Sequence, residues 1–107
     1  MTAIDRPRPG PDPAEPPAEA PTELVFVTAE ACHLCDRARE VLDELRRELP
    51  FTLREVDLDS PEGRALLAAW RFPFPPALGR GGTLIAFGRF SLRHLRRVLG
   101  DVVTGEP

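Results

Sequence analysis

Cys32-His33-Leu34-Cys35 stands between an apolar run, Leu24-Val25-Phe26-Val27, and a segment whose apolar residues recur at helical spacing. That placement constrains the chain more than any other feature. The run is rich in β-formers and short, which suits a buried strand. Ala38, Val41, Leu42, Leu45 and Leu49 are then interleaved with Arg37, Arg39, Glu40, Asp43, Glu44, Arg46 and Arg47. This pattern predicts an amphipathic helix from about Cys32 to Glu48, ended by Pro50. The cysteine pair therefore opens a helix, reached from a strand through the loop Thr28 to Ala31.

The position has chemical consequences. The first turn of a helix carries unsatisfied N–H groups and the positive end of the helix dipole. A thiol placed there ionises more readily, and the thiolate is the nucleophile. Two cysteines three positions apart share a helix face, so Cys35 can displace a partner bound to Cys32 as a mixed disulfide. Cys32, nearer the helix end, is the expected attacker and Cys35 the more buried resolving thiol. His33 can either stabilise the Cys32 thiolate or stand in solvent. Glu30 acts in the opposite direction, since a nearby negative charge raises a thiol's pKa.

Other uses of the pair are weaker. A structural disulfide closing so small a ring removes little chain entropy. Zinc requires about four ligands; beyond the two cysteines the chain offers His33, which points away from its neighbours' pocket, and His94 on another helix. A metal or iron–sulfur centre shared between two chains, or an adaptor module with an inert pair, stays open as an alternative. The net charge of −3 lends nothing to a nucleic-acid reading. No run is long and apolar enough for a membrane span, and MTAIDRPRPG lacks the order of a secretory signal. A cytoplasmic protein, with neither nucleic acid nor membrane as partner, is the expectation. All 14 basic residues are arginine, which lowers the diagnostic value of any one of them.

The remaining chain reads as one small domain. Residues 1–22 hold seven of the 13 prolines and predict a disordered or polyproline-like arm. Phe51 to Leu58 reads as a second strand. Ser60-Pro61 starts a helix running to about Trp70, a core residue. Gly79-Arg80-Gly81-Gly82 between apolar runs signals a β-hairpin. Ser91 caps a last helix through Leu92, Leu95, Val98 and Leu99 to Gly100, leaving 101–107 as a tail. The order is β-α-β-α-β-β-α, with the domain over 23–100.

With these elements in place, residues 24–99 resemble the glutaredoxin branch of the thioredoxin-like superfamily. The matching features are the first strand, the Cys-His-Leu-Cys opening of the first helix, the strand ending Val56-Asp57-Leu58-Asp59, and a proline before the third strand. The resemblance implies an α/β three-layer sandwich: a four-stranded mixed sheet with three helices. It also implies a cis proline facing the cysteines, matched best by Pro76, with Pro75 the alternative. Phe72 and Phe74 beside it are candidate apolar contacts for a protein substrate, or core.

Two departures bear on glutathione. The loop before Cys32 carries Glu30 where glutathione-using members commonly have a base. The paired-glycine and acidic motif of the last helix is reduced to Gly88-Arg89-Phe90-Ser91, leaving Arg89 and Ser91 as candidate carboxylate ligands. Compared with thioredoxins, Phe26 occupies the place of a buried carboxylate. The expected activity is thiol–disulfide exchange on protein disulfides or a low-molecular-weight thiol by a monomer, with electrons from a reductase or thiol. No bound cofactor is expected, because the dithiol is itself the redox group.

Overall fold

A computed structural model describes residues 22–104, with side chains to 103. Four strands and three helices follow one another as β1 (Thr22–Thr28), α1 (His33–Arg46), β2 (Phe51–Asp57), α2 (Pro61–Trp70), β3 (Ala77–Arg80), β4 (Thr83–Phe87) and α3 (Leu92–Thr104). The sheet order is β2-β1-β3-β4. β1 and β2 run parallel, as the intervening α1 requires, while β3 is antiparallel to both β1 and β4. This is the expected thioredoxin-like arrangement.

The strand β1 is buried on both faces, which is why its sequence is apolar without alternation. Leu24 and Phe26 face a core built with Ala38, Val41, Leu42 and Leu45 of α1 and Leu95 and Leu99 of α3. Val25 and Val27 face the other way, toward Val56, Trp70, Phe72 and Ala77. So α1 and α3 cover one face of the sheet and α2 the other. Trp70 is a core residue; its indole N–H donates to Gly81 O at 3.3 Å. Phe72 is buried against it, with ring centroids 6.4 Å apart, and so is not available to a substrate.

The last helix is longer than the sequence suggests. Gly100 does not end it; α3 continues to Thr104, so the expected tail over 101–107 begins inside a helix. Glycine costs a helix interior about 1 kcal/mol relative to alanine. Val102 and Val103 pack against the core beyond it and offset that cost. At the other end, Thr22 belongs to β1 rather than to the arm, and the rest of that arm lies outside the described residues.

Candidate functional site

Strand β1 delivers the chain to the cysteines at the sheet's upper edge. Ala31, with a positive φ of 51°, turns it into α1, a left-handed conformation that a non-glycine residue adopts at some cost. Cys32 is then the N-cap of α1 rather than its first residue. Its backbone is extended and its Sγ accepts the Cys35 N–H at 3.0 Å. A sulfur thus fills the capping role usually taken by a serine, threonine or aspartate oxygen. Cys32 and Cys35 are joined as a disulfide, with Cα atoms 5.1 Å apart. Cys32 is partly exposed, whereas Cys35 is 1% exposed within the core.

The other candidate residues separate by location. Glu30 precedes the pair, His33 lies within it, and both are exposed. The Pro75–Pro76 peptide bond is cis, and Pro76 is fully buried while Pro75 is half-buried. The antiparallel register pairs Val27 with Ala77, so Pro76 sits beside the end of β1, where the cysteine loop departs. Pro76 O accepts the Gly88 N–H at 2.7 Å, tying the proline turn to the start of the segment that leads into α3. In that segment Ser91 Oγ accepts the His94 N–H at 3.2 Å and caps α3. Arg89 is exposed beside it. A hollow of about 320 Å³ between α1 and α3 is lined by Arg37, Glu40, Val41, Glu44, Phe90, Ser91 and Leu92. Neither cysteine lines it, nor does Arg89.

Sequence reasoning missed an ionic cluster below the disulfide. Register places Glu55 of β2 beside Phe26. Its carboxylate accepts from Arg39 Nη2 at 2.6 Å and from the buried Thr28 hydroxyl at 3.0 Å. Arg39 also bonds Asp36 at 3.2 Å, and its guanidinium lies over the Phe26 ring, 5.9 Å from the centroid. A lone Glu in a strand carries no signal of such a contact; only the strand pairing brings it to α1. The Arg39 hydrogen bond holds the Glu55 carboxyl below its ordinary value; partial burial opposes this and the Thr28 hydroxyl assists it.

A depressed folded-state pKa stabilises above the unfolded value and stops doing so as pH falls through the folded one. Glu55→Gln is therefore expected to lower stability at neutral pH and to match the parent once acid protonates Glu55. Both groups are substantially exposed, so the difference should be about 0.2–1 kcal/mol. Urea unfolding at both pH values measures it; an equal difference at acid pH would exclude the ion pair as its source.

Among the described residues, no three His, Cys, Asp or Glu side chains are grouped to hold a metal ion. Nor is any helix long and apolar enough to cross a membrane.

Residues 23–99 match the model of a family described as glutaredoxin-like domain (DUF836). No curated protein matches the chain. Among solved structures, one described as "Structure of a malarial protein" is similar at a TM-score of 0.57 and 20% identity. The match covers 76% of this chain and 96% of that one, and the likeness is one of fold.

Proposed function

The chain belongs to the glutaredoxin-like DUF836 family, and on that footing we propose that it is a thiol–disulfide oxidoreductase. The observation that carries this reading is the Cys32 sulfur at the N-cap of α1, within hydrogen-bond distance of the Cys35 N–H and bonded to a buried second sulfur. A thiolate on Cys32 in the reduced protein would accept that N–H and lie at the positive end of the helix dipole.

In the reaction, the Cys32 thiolate attacks one sulfur of a substrate disulfide. The substrate's S–S bond breaks, a mixed disulfide forms, and one substrate thiolate leaves and takes up a proton. Cys35, deprotonated, then attacks Cys32 Sγ and releases the second substrate thiol, leaving the Cys32–Cys35 disulfide. Two electrons have passed to the substrate. A low-molecular-weight thiol or a dithiol reductase returns them and closes the cycle. Pro76 shapes the surface beside the pair, and His33 and Glu30 set the charge around Cys32. Arg89 is the candidate ligand for a thiol's carboxylate. Ser91 can share that role, because its Oγ only accepts in capping and its O–H stays available to donate to a carboxylate.

Alkylation of the reduced protein across pH tests the reading. Cys32 should label with a midpoint well below the free-thiol value of about 8.5, with Cys35 lagging. Labelling of both only near or above that value would favour an adaptor with an inert pair.

A further inference from the structure

The structure leaves two large apolar side chains exposed among the described residues, and they touch. Phe74 is 48% and Phe87 42% exposed, and their rings meet edge to face with centroids 5.8 Å apart. Singly exposed apolar residues need no explanation, but a paired aromatic surface does. The pair is also built into the backbone. Gly88 has φ of +77°, and a Cβ there would stand 3.1 Å from Phe74 Cε1. The Phe74 ring therefore rests over a position where a side chain would crowd it and where the backbone conformation favours glycine.

Its exposure follows from the layering. Two helices cover one face of the sheet, but α2 alone covers the other. Trp70, at the end of α2, reaches as far as Gly79, and the end of β4 beyond it is left open. Register places Val27, Ala77 and Phe87 in one row across β1, β3 and β4. Phe87 is thus about 10 Å across the sheet from the strand that leads to Cys32, a distance spanned by roughly three residues of extended peptide.

Charge singles out the same stretch of chain. Residues 63–100 contain seven arginines and no aspartate or glutamate. Arg64 and Arg96 pair with Asp59 and Glu48. Arg71, Arg80, Arg89, Arg93 and Arg97 form no ion pair among the described residues, and Arg71 and Arg89 bracket the aromatic pair in sequence. On α1 and β2, by contrast, every arginine faces a carboxylate. The chain from the end of α2 through β3 and β4 to the start of α3 is therefore acid-free and cationic where it carries the two aromatics.

We propose that Phe74 and Phe87 receive an apolar side chain of an acidic protein segment that carries the disulfide to be reduced. This rests on the exchange reading and names its substrate class: a protein disulfide with carboxylates and a large apolar residue a few positions from the attacked cysteine. Opposite charge draws such a segment in and the aromatic pair holds it. A nucleic acid is the other polyanion a cationic, aromatic stretch could attract. The patch's continuity with the redox end of the sheet favours the protein.

The test uses three synthetic cystine peptides carrying Phe with Glu, Phe with Lys, or Ser with Glu, together with bis(2-hydroxyethyl) disulfide as a small substrate. At low salt the Phe/Glu peptide should show kcat/KM about tenfold above the other two, an advantage that salt erodes. In Phe74→Ser/Phe87→Ser protein the preference for Phe over Ser should disappear; in Arg71→Glu/Arg80→Glu protein the preference for Glu over Lys should disappear. Equal rates for the three peptides would overturn the proposal while leaving exchange intact. So would variants that lower peptide and small-disulfide rates in proportion.

Binding of the same peptides to Cys32→Ser/Cys35→Ser protein separates docking from chemistry. Preferred binding of the Phe/Glu peptide supports the docking site even if no disulfide is turned over, in which case the exchange reading fails alone. Tighter binding of a single-stranded DNA oligonucleotide than of that peptide would overturn the proposal.

Discussion

Replacing Cys32 with serine should abolish disulfide reduction, with a loss of about three orders of magnitude, whereas Cys35→Ser should halt the reaction halfway. The asymmetry follows from position. Cys32 is the partly exposed sulfur at the helix N-cap, and Cys35 is sealed in the core one turn along. Without Cys35 the mixed disulfide on Cys32 has no internal thiol to resolve it. It should persist on non-reducing gels and in intact-mass spectra, and the added mass identifies the trapped thiol. Equal residual activity in the two variants would contradict the assignment of roles. A Cys35→Ser protein that traps nothing from cell extract would favour an adaptor. The aromatic, cationic stretch described above adds that the trapped species should be a protein rich in acidic residues.

The second large effect concerns a residue with no chemistry. Gly63→Ala should destabilise the domain by about 2–4 kcal/mol, lowering Tm by roughly 10–20 °C. A Cβ at position 63 would run into the carbonyl oxygen of Asp57 and stand 2.7 Å from Leu58 Cα. Both are backbone atoms, held in turn by Ser60. The Ser60 N–H and hydroxyl both donate to Asp57 O, and Ser60 Oγ accepts the Gly63 N–H at 3.0 Å. Neither side can yield without breaking the cap of α2. Gly100→Ala is the control. A Cβ there meets nothing within 4 Å, and the helix around it should gain about 0.5–1 kcal/mol. Thermal unfolding of the two variants should therefore move in opposite directions; a shared direction would mean that helix propensity, rather than contact, governs position 63.

Gly63 illustrates why parts of this molecule are not legible from its sequence. Periodicity and punctuation report local structure well. The apolar run at β1, the helical spacing after Cys35, Ser60-Pro61 and the glycines of the hairpin each describe a few consecutive residues, and their elements appear where those signals place them. The cis bond at Pro75–Pro76 falls in the proline cluster the sequence singles out. Contacts between distant positions leave no such trace. Glu55 lies 16 residues from Arg39, and Phe74 meets Phe87 only because the hairpin turns between them. The run of α3 past Gly100 has the same origin, since Val102 and Val103 find core to pack against.

The spacing and placement of Cys32 and Cys35 alone determined the order of elements near them, which sulfur opens the helix and the type of chemistry proposed for the chain. Those properties depend on residues within a turn or two of each other, where backbone geometry is nearly the same in any fold. The tertiary structure decided what surrounds that chemistry. It buried Phe72 and left Phe74 exposed, engaged Ser91 as a cap, and brought Phe74 and Phe87 together as an exposed aromatic pair. Burial and charge apposition are set by strand register and helix coverage, which arise only when the whole sheet closes.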